Sequence, residues 1–164
     1  MSESNSQRFE ELLERFDHAM LVSVAADGSL HARPMAIAAH ADVAKLCFVT
    51  SSDSAKADEL AERPAATAVM QGDDVYLAVS GNAIMVADRQ RIEALWKPSW
   101  KLWFPEGPGD PRLVLIEIEP ERAEYWDRTG ARRLEFLWQA GKALAKGEAV
   151  SDEDVPGHGK VSFE

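Results

Sequence analysis

The sequence predicts a mainly β fold: a six-stranded antiparallel barrel with short flanking helices. Three observations support this. Six apolar-rich runs of β-forming residues recur along the chain. Two of the links between them, Asp27-Gly28 and Gly72-Asp73-Asp74, carry hairpin signals. The helical stretches are too few to follow most strands, as a parallel sheet would require.

In chain order, Phe9, Leu12, Leu13 and Phe16 recur at helical spacing and predict an amphipathic helix over residues 7–18. Strands are expected at Met20 to Ala25 and Leu30 to Ala38, joined by the Asp-Gly turn, and a third at Lys45 to Thr50. Ser51-Ser52-Asp53-Ser54 then leads into a helix over Lys56 to Arg63, stopped by Pro64. Ala66 to Gln71 and Val75 to Val86 predict a second hairpin, with Gly81 marking a bulge in the longer strand. Asp88 caps a helix reaching Leu95 and Trp96, and Pro105 to Pro111 is a Pro/Gly loop. Arg112 to Glu119 alternates, and Arg122 to Trp126 extends the pattern past Pro120 as a bent sixth strand. Leu134, Leu137, Trp138 and Leu144 predict a last helix. The expected organisation is one domain over residues 1–150, with a polar, Gly-rich tail over 151–164.

With 164 residues, one core of this size can bury roughly 70% of the unfolded surface, so neither a disulfide nor a structural metal is needed. The net charge of −10 disfavours a chain that neutralises a nucleic-acid backbone, and leaves an anionic ligand only a local basic pocket. No run of about 18 apolar residues is present, and Met1 to Glu14 is polar, so neither a membrane span nor a signal peptide is expected and the location expected is cytoplasmic. The single cysteine, Cys47, lies in Leu46-Cys47-Phe48-Val49 and is expected in the core. His18, His31, His40 and His158 have no metal-ligand spacing, so no metal is expected. Pro156-Gly157-His158-Gly159-Lys160 departs from a phosphate loop at both ends. Asp73-Asp74 and Asp152-Glu153-Asp154 are expected to be solvated charge.

The chemistry concentrates in two segments. His31-Ala32-Arg33-Pro34-Met35 and Phe48-Val49-Thr50 through Lys56 bring Arg33, Thr50, Ser54 and Lys56 toward one spot. A guanidinium, an ammonium, two hydroxyls and helix-start amides all donate to oxygen, and two of them carry positive charge, which suits a phosphate. On spacing alone, the same residues are also read as a capping serine and two solvated surface cations.

His-Ala-Arg-Pro-Met at 31–35, Phe-Val-Thr-x-x-x-Ser-x-Lys at 48–56, Gly81, Asp88 to Trp96 and Glu-Tyr-Trp-Asp at 124–127 resemble, in this order, the general stress protein branch of the FMN-binding split-barrel superfamily, relatives of pyridoxamine phosphate oxidase. The resemblance spans about residues 7–145. It implies a six-stranded split barrel forming a homodimer, with FMN, or FAD, at the subunit interface. Arg33 and Lys56 would then pair with the phosphate, while Thr50, Ser54 and the Ala55 amide add hydrogen bonds. Backbone around Pro34, Met35 and Val49 would lie along the isoalloxazine, and Trp103 is the aromatic expected to reach the flavin. The oxidase's Arg-x-His pair after Glu-Tyr-Trp is missing, since neither Arg132 nor Arg133 has a histidine two positions on. Vitamin B6 synthesis is therefore not expected, and no catalytic residue is assigned. The expected function is a flavin-dependent oxidoreductase with a small-molecule redox partner. The alternatives are a flavin-binding storage or sensing protein without turnover, or a split barrel holding haem, for which His31 is the histidine beside the pocket, or a deazaflavin.

Overall fold

The computed structural model describes residues 5–41, 45–149 and 155–163. Among the described residues seven antiparallel strands form: β1 (His18–Val24), β2 (Leu30–Ala41), β3 (Lys45–Ser51), β4 (Ala65–Gly72), β5 (Val75–Val86), β6 (Leu113–Asp127) and β7 (His158–Ser162). Their order is β3-β2-β1-β4-β5-β6-β7, and β3 also pairs with β6, so the first six close into a barrel. Four α-helices flank it: α1 (Asn5–Leu13), α2 (Ala55–Glu62), α3 (Arg89–Leu95) and α4 (Gly130–Lys146).

The two-residue periodicity of a strand explains the interior. Ala19, Leu21 and Ser23 of β1 alternate inward, as do Val75, Leu77 and Val79 of β5. Leu21, Phe48, Leu77, Val79, Ile116 and Ile118 are fully buried, each contributing about 1.5–3 kcal/mol of transfer free energy if a large aliphatic or aromatic side chain. Phe9, Leu12 and Leu13 place the apolar face of α1 in the same cluster. A second cluster forms outside the barrel, where Ile92, Trp100 and Phe104 pack against Ala38, Cys47, Leu113 and Leu115. Cys47 is a core residue, its thiol pushed up to about 11 mainly by burial.

Several expectations are corrected. The first helix ends at Leu13, with Phe16 only partly buried against the core. The sixth strand does form as expected, as β6, continuous across Pro120. Gly81 does flank a register shift, but the extra residue is Glu121 on β6, because Ser80 pairs with Arg122 and Gly81 with Pro120. Proline, lacking an N–H, is thus accommodated where the ladder is already interrupted. The C-terminal stretch is not wholly a loose tail: 158–162 pair as β7 with residues 122–126 of β6. Its glycines serve close approach, since a Cβ at Gly159 would overlap the Tyr125 ring, and His158 stacks on Trp126 with ring centroids 5.1 Å apart. Residues 151–154 lie outside the described segments. The last helix forms, but none of its residues is buried.

Candidate functional site

Ile37 of β2 pairs with Phe48 of β3, so the residues before 37 and those after 48 leave the same end of this ladder. That splay puts Arg33 to Ala36 across from Val49 to Ser51. The β3–β6 pairing brings a third element in, because Ser51 lies opposite Leu113 and the Ser52 amide donates to the Arg112 carbonyl at 2.8 Å. The outer core cluster supplies the remaining wall. Trp100 is buried there, edge-on to Trp96 at 5.6 Å, and it anchors a 3-10 turn over Pro98–Leu102 that carries the exposed Trp103.

A cavity of about 440 Å³ results, within the range for small-molecule and cofactor sites. Pro34, Met35, Ala36, Val49, Trp100, Trp103 and Phe104 form its apolar walls. Arg33, Lys56, Arg112, Thr50, Ser51 and Asp53 supply its polar lining, three cations against one carboxylate. In a chain of net charge −10 this is a local reversal of sign.

The three cations differ in how far they are already satisfied. Arg112 donates to the buried Asp110 through Nε at 3.1 Å and Nη2 at 2.8 Å, and that hydrogen bonding raises its basicity. Arg33 donates to Glu59 at 2.9 Å and to the Ser23 hydroxyl at 2.5 Å. Among the described residues Lys56 forms no such carboxylate pair; burial, then the neighbouring Arg33 charge, lower its ammonium below the ordinary value, with Glu59 opposing. An ammonium destabilised in this way gains most from an incoming anion.

Of the residues nominated from sequence, Arg33, Pro34, Met35, Val49, Thr50, Lys56 and Trp103 line the cavity. Ser54 and Ala55 do not. The Ser54 hydroxyl lies 3.2 Å from Thr50 Oγ1 and accepts from the Ala57 amide at 3.4 Å, so it caps α2 and Ala55 opens that helix. His31 is also outside the wall: its Nδ1 lies 2.7 Å from Glu59 Oε1.

Sequence reasoning missed Arg112, Trp100 and Phe104 on the wall, and Glu59 and Ser23 behind Arg33. For Arg112 the only signal is the β3–β6 closure, which no local pattern encodes. Glu59 has a weak signal, since it sits three residues after Lys56 on α2, where its side chain reaches Ser23 of β1 and His31 and Arg33 of β2.

The family pattern described as pyridoxamine 5'-phosphate oxidase like matches residues 4–151. The chain belongs to that family. Among curated members similar to it, general stress protein 26 of Bacillus subtilis is 29% identical over 119 residues, covering 68% of this chain and 83% of that protein. The crystal structure of the general stress protein 26 from Bacillus anthracis superposes with a TM-score of 0.66 at 24% identity, covering 73% of this chain and 92% of that one. A Clostridium acetobutylicum protein related to general stress protein 26, of the pyridoxinephosphate oxidase family, gives 0.66 at 19% identity, with 77% and 91% covered. At these identities both structures speak to the fold.

In this member of the pyridoxamine 5'-phosphate oxidase-like family, the segment after Glu-Tyr-Trp has structural partners. Arg132 pairs with the buried Asp127, and Arg133 reaches Asp74 at 3.2 Å in the β4–β5 turn. Among the described residues no helix is long and apolar enough to cross a membrane, and no group of three or more His, Cys, Asp or Glu is placed to hold a metal ion.

Proposed function

We propose that this chain binds FMN in the cavity and works as a flavin-dependent oxidoreductase on a small molecule. The observation that carries the reading is the joining of Arg33, Lys56, Arg112 and the Thr50 and Ser51 hydroxyls to a wall of Pro34, Met35, Trp100, Trp103 and Phe104 in one 440 Å³ space. The donor set fits the group. A phosphate needs cations and O–H donors, and a flat ring system needs apolar and aromatic contact with few polar groups. Flavin is a common ligand of the family. Bound there, it would supply the redox chemistry. The chain's own share is to neutralise the phosphate through Lys56 and Arg33, to cover the ring with apolar side chains, and to restrict water.

Among the described residues the lining offers no His, Cys or Tyr and a single carboxylate, Asp53, and its destabilised ammonium, Lys56, is assigned to the phosphate. That scarcity favours a second reading, a flavin-binding storage or sensing protein without turnover. Purified protein mixed with FMN is expected to quench flavin fluorescence; reduction of the bound flavin by NADH or NADPH, and its reoxidation by an added acceptor, separates turnover from binding alone. Unquenched fluorescence overturns both.

A homodimer completes the proposal. Met20, Val69 and Ile84 are exposed on the outer sheet face, and Met20 lies opposite both Val69 and Pro34. Because Pro34 also lines the cavity, a partner on this apolar face would border the flavin. Leu134, Leu137, Trp138 and Leu144 of α4 expose a further apolar stripe. A symmetric partner would cover these exposed side chains.

A further inference from the structure

Glu59 is placed where simple electrostatics would not want it. It is a carboxylate directly behind the cationic end of the cavity, and its charge offsets that of Arg33. It is nonetheless the most heavily bonded group there. Its Oε2 accepts from the Ser23 hydroxyl at 2.5 Å and from Arg33 Nη2 at 2.9 Å, and its Oε1 lies 2.7 Å from His31 Nδ1. Arg33 Nη1 closes the ring by donating to Ser23 Oγ at 2.5 Å. Ser23 is fully buried inside the barrel, so the ring is fixed to β1, while Glu59 rides on α2.

We propose that Glu59 is a positioning residue for the anion end of the cavity: with Ser23 it clamps the Arg33 guanidinium from behind, so that the remaining N–H groups are held toward a bound phosphate. This rests on the flavin reading above. The guanidinium is a rigid planar fork of five N–H donors. Two point at Glu59 and Ser23, and the plane they define sets where the others point. A freely rotating arginine would have to be ordered by the ligand, and removing that cost in advance raises affinity. The carboxyl is suited to a permanent clamp. Hydrogen bonding from Ser23, then from His31 and Arg33, outweighs burial and holds it down to about 2, so it stays charged throughout the neutral range.

The sign of one mutant effect decides the matter. Removing a negative charge beside a phosphate site strengthens binding if Glu59 acts only through its charge. It weakens binding if Glu59 orients Arg33. The experiment is a fluorescence titration of FMN and of riboflavin, which lacks the phosphate, against wild type, Glu59→Ala, Glu59→Gln and Ser23→Ala. Glu59→Ala is expected to bind FMN about five- to tenfold more weakly with riboflavin unchanged, and Glu59→Gln to recover part of the loss because its amide oxygen still accepts one N–H. Ser23→Ala, which keeps α2 intact, is expected to shift FMN alone by about two- to threefold and serves if Glu59→Ala does not fold. FMN affinity that is unchanged or higher without Glu59 overturns the proposal, and so does an equal loss for both flavins. Wild-type protein that takes up neither flavin overturns the flavin reading itself, which is a distinct result.

Discussion

Gly81 of β5 lies opposite Pro120 of β6, so close to the Glu119 carbonyl that a Cβ at this position would overlap its oxygen. The two longest paired strands cross their register shift there, and backbone on both sides leaves no flexible side chain to yield. Gly81→Ala is expected to destabilise the fold by roughly 3 kcal/mol, at the upper end of overpacking costs. Urea unfolding monitored by tryptophan fluorescence checks it; a shift below about 1 kcal/mol means the strands can part there without loss.

Asp127 ties three segments together at the far end of β6. It is fully buried and accepts from Arg8 at 2.6 Å, from the Thr129 amide at 3.0 Å and hydroxyl at 2.6 Å, and from Arg132. Burial alone would raise its carboxyl, but these donors outweigh it and hold the group below the ordinary 3.8. A carboxyl depressed in the fold contributes stability that is present above its ordinary value and lost as pH falls. Wild type is therefore expected to lose stability as acid takes the medium below about pH 4. Asp127→Asn is expected to cost about 3 kcal/mol at neutral pH and to flatten that acid slope. An unchanged slope in the variant would contradict the role of Asp127 as the charged hub.

Much of the architecture was legible in the sequence because it is local. Asp27 accepts from the Ser29 amide at 2.9 Å and Gly28 takes a φ of 84°, which is the turn chemistry that Asp-Gly announces. Asp88 accepts from the Arg91 amide at 3.1 Å as a helix cap, again a short-range rule. What stayed hidden depends on contacts between distant segments. β7 reads as a polar tail because its partner strand lies more than thirty residues away. Glu59 acquires its role only when α2 docks on β1 and its carboxylate meets Ser23, His31 and Arg33. Ser54 is a local case of another kind: its type and spacing fit a ligand donor and a helix cap alike, and its hydroxyl accepts the capping bond of α2 outside the cavity lining.

Lys56 gives the site a pH signature. Burial and Arg33 lower its ammonium below 10.5, so the protein loses this cation earlier than an exposed lysine would. As pH is raised, FMN affinity in wild type is expected to start falling before the pH reaches 10.5, and Lys56→Arg, whose charge persists, is expected to hold its affinity through that range. Replacing Arg33 and Lys56 together by alanine is expected to weaken FMN binding at least tenfold at neutral pH, taking about 1.5–3 kcal/mol for each charged hydrogen bond. Equal affinities across these variants would return both cations to the solvated surface.

The exposed sheet face leads to an oligomer test. Sedimentation of wild type is expected to give two chains per particle, and Val69→Glu, which puts a charge opposite Met20, is expected to give one chain with weakened flavin binding. A monomeric wild type at micromolar concentration would contradict the dimer.

The crystal structure of the protein grown with FMN tests the central claim most directly. The phosphate is expected within hydrogen-bond distance of Arg33 and Lys56, and the ring against Pro34, Met35 and the Trp100–Trp103 turn. Density for the flavin elsewhere on the barrel, or a phosphate that touches neither cation, would contradict it.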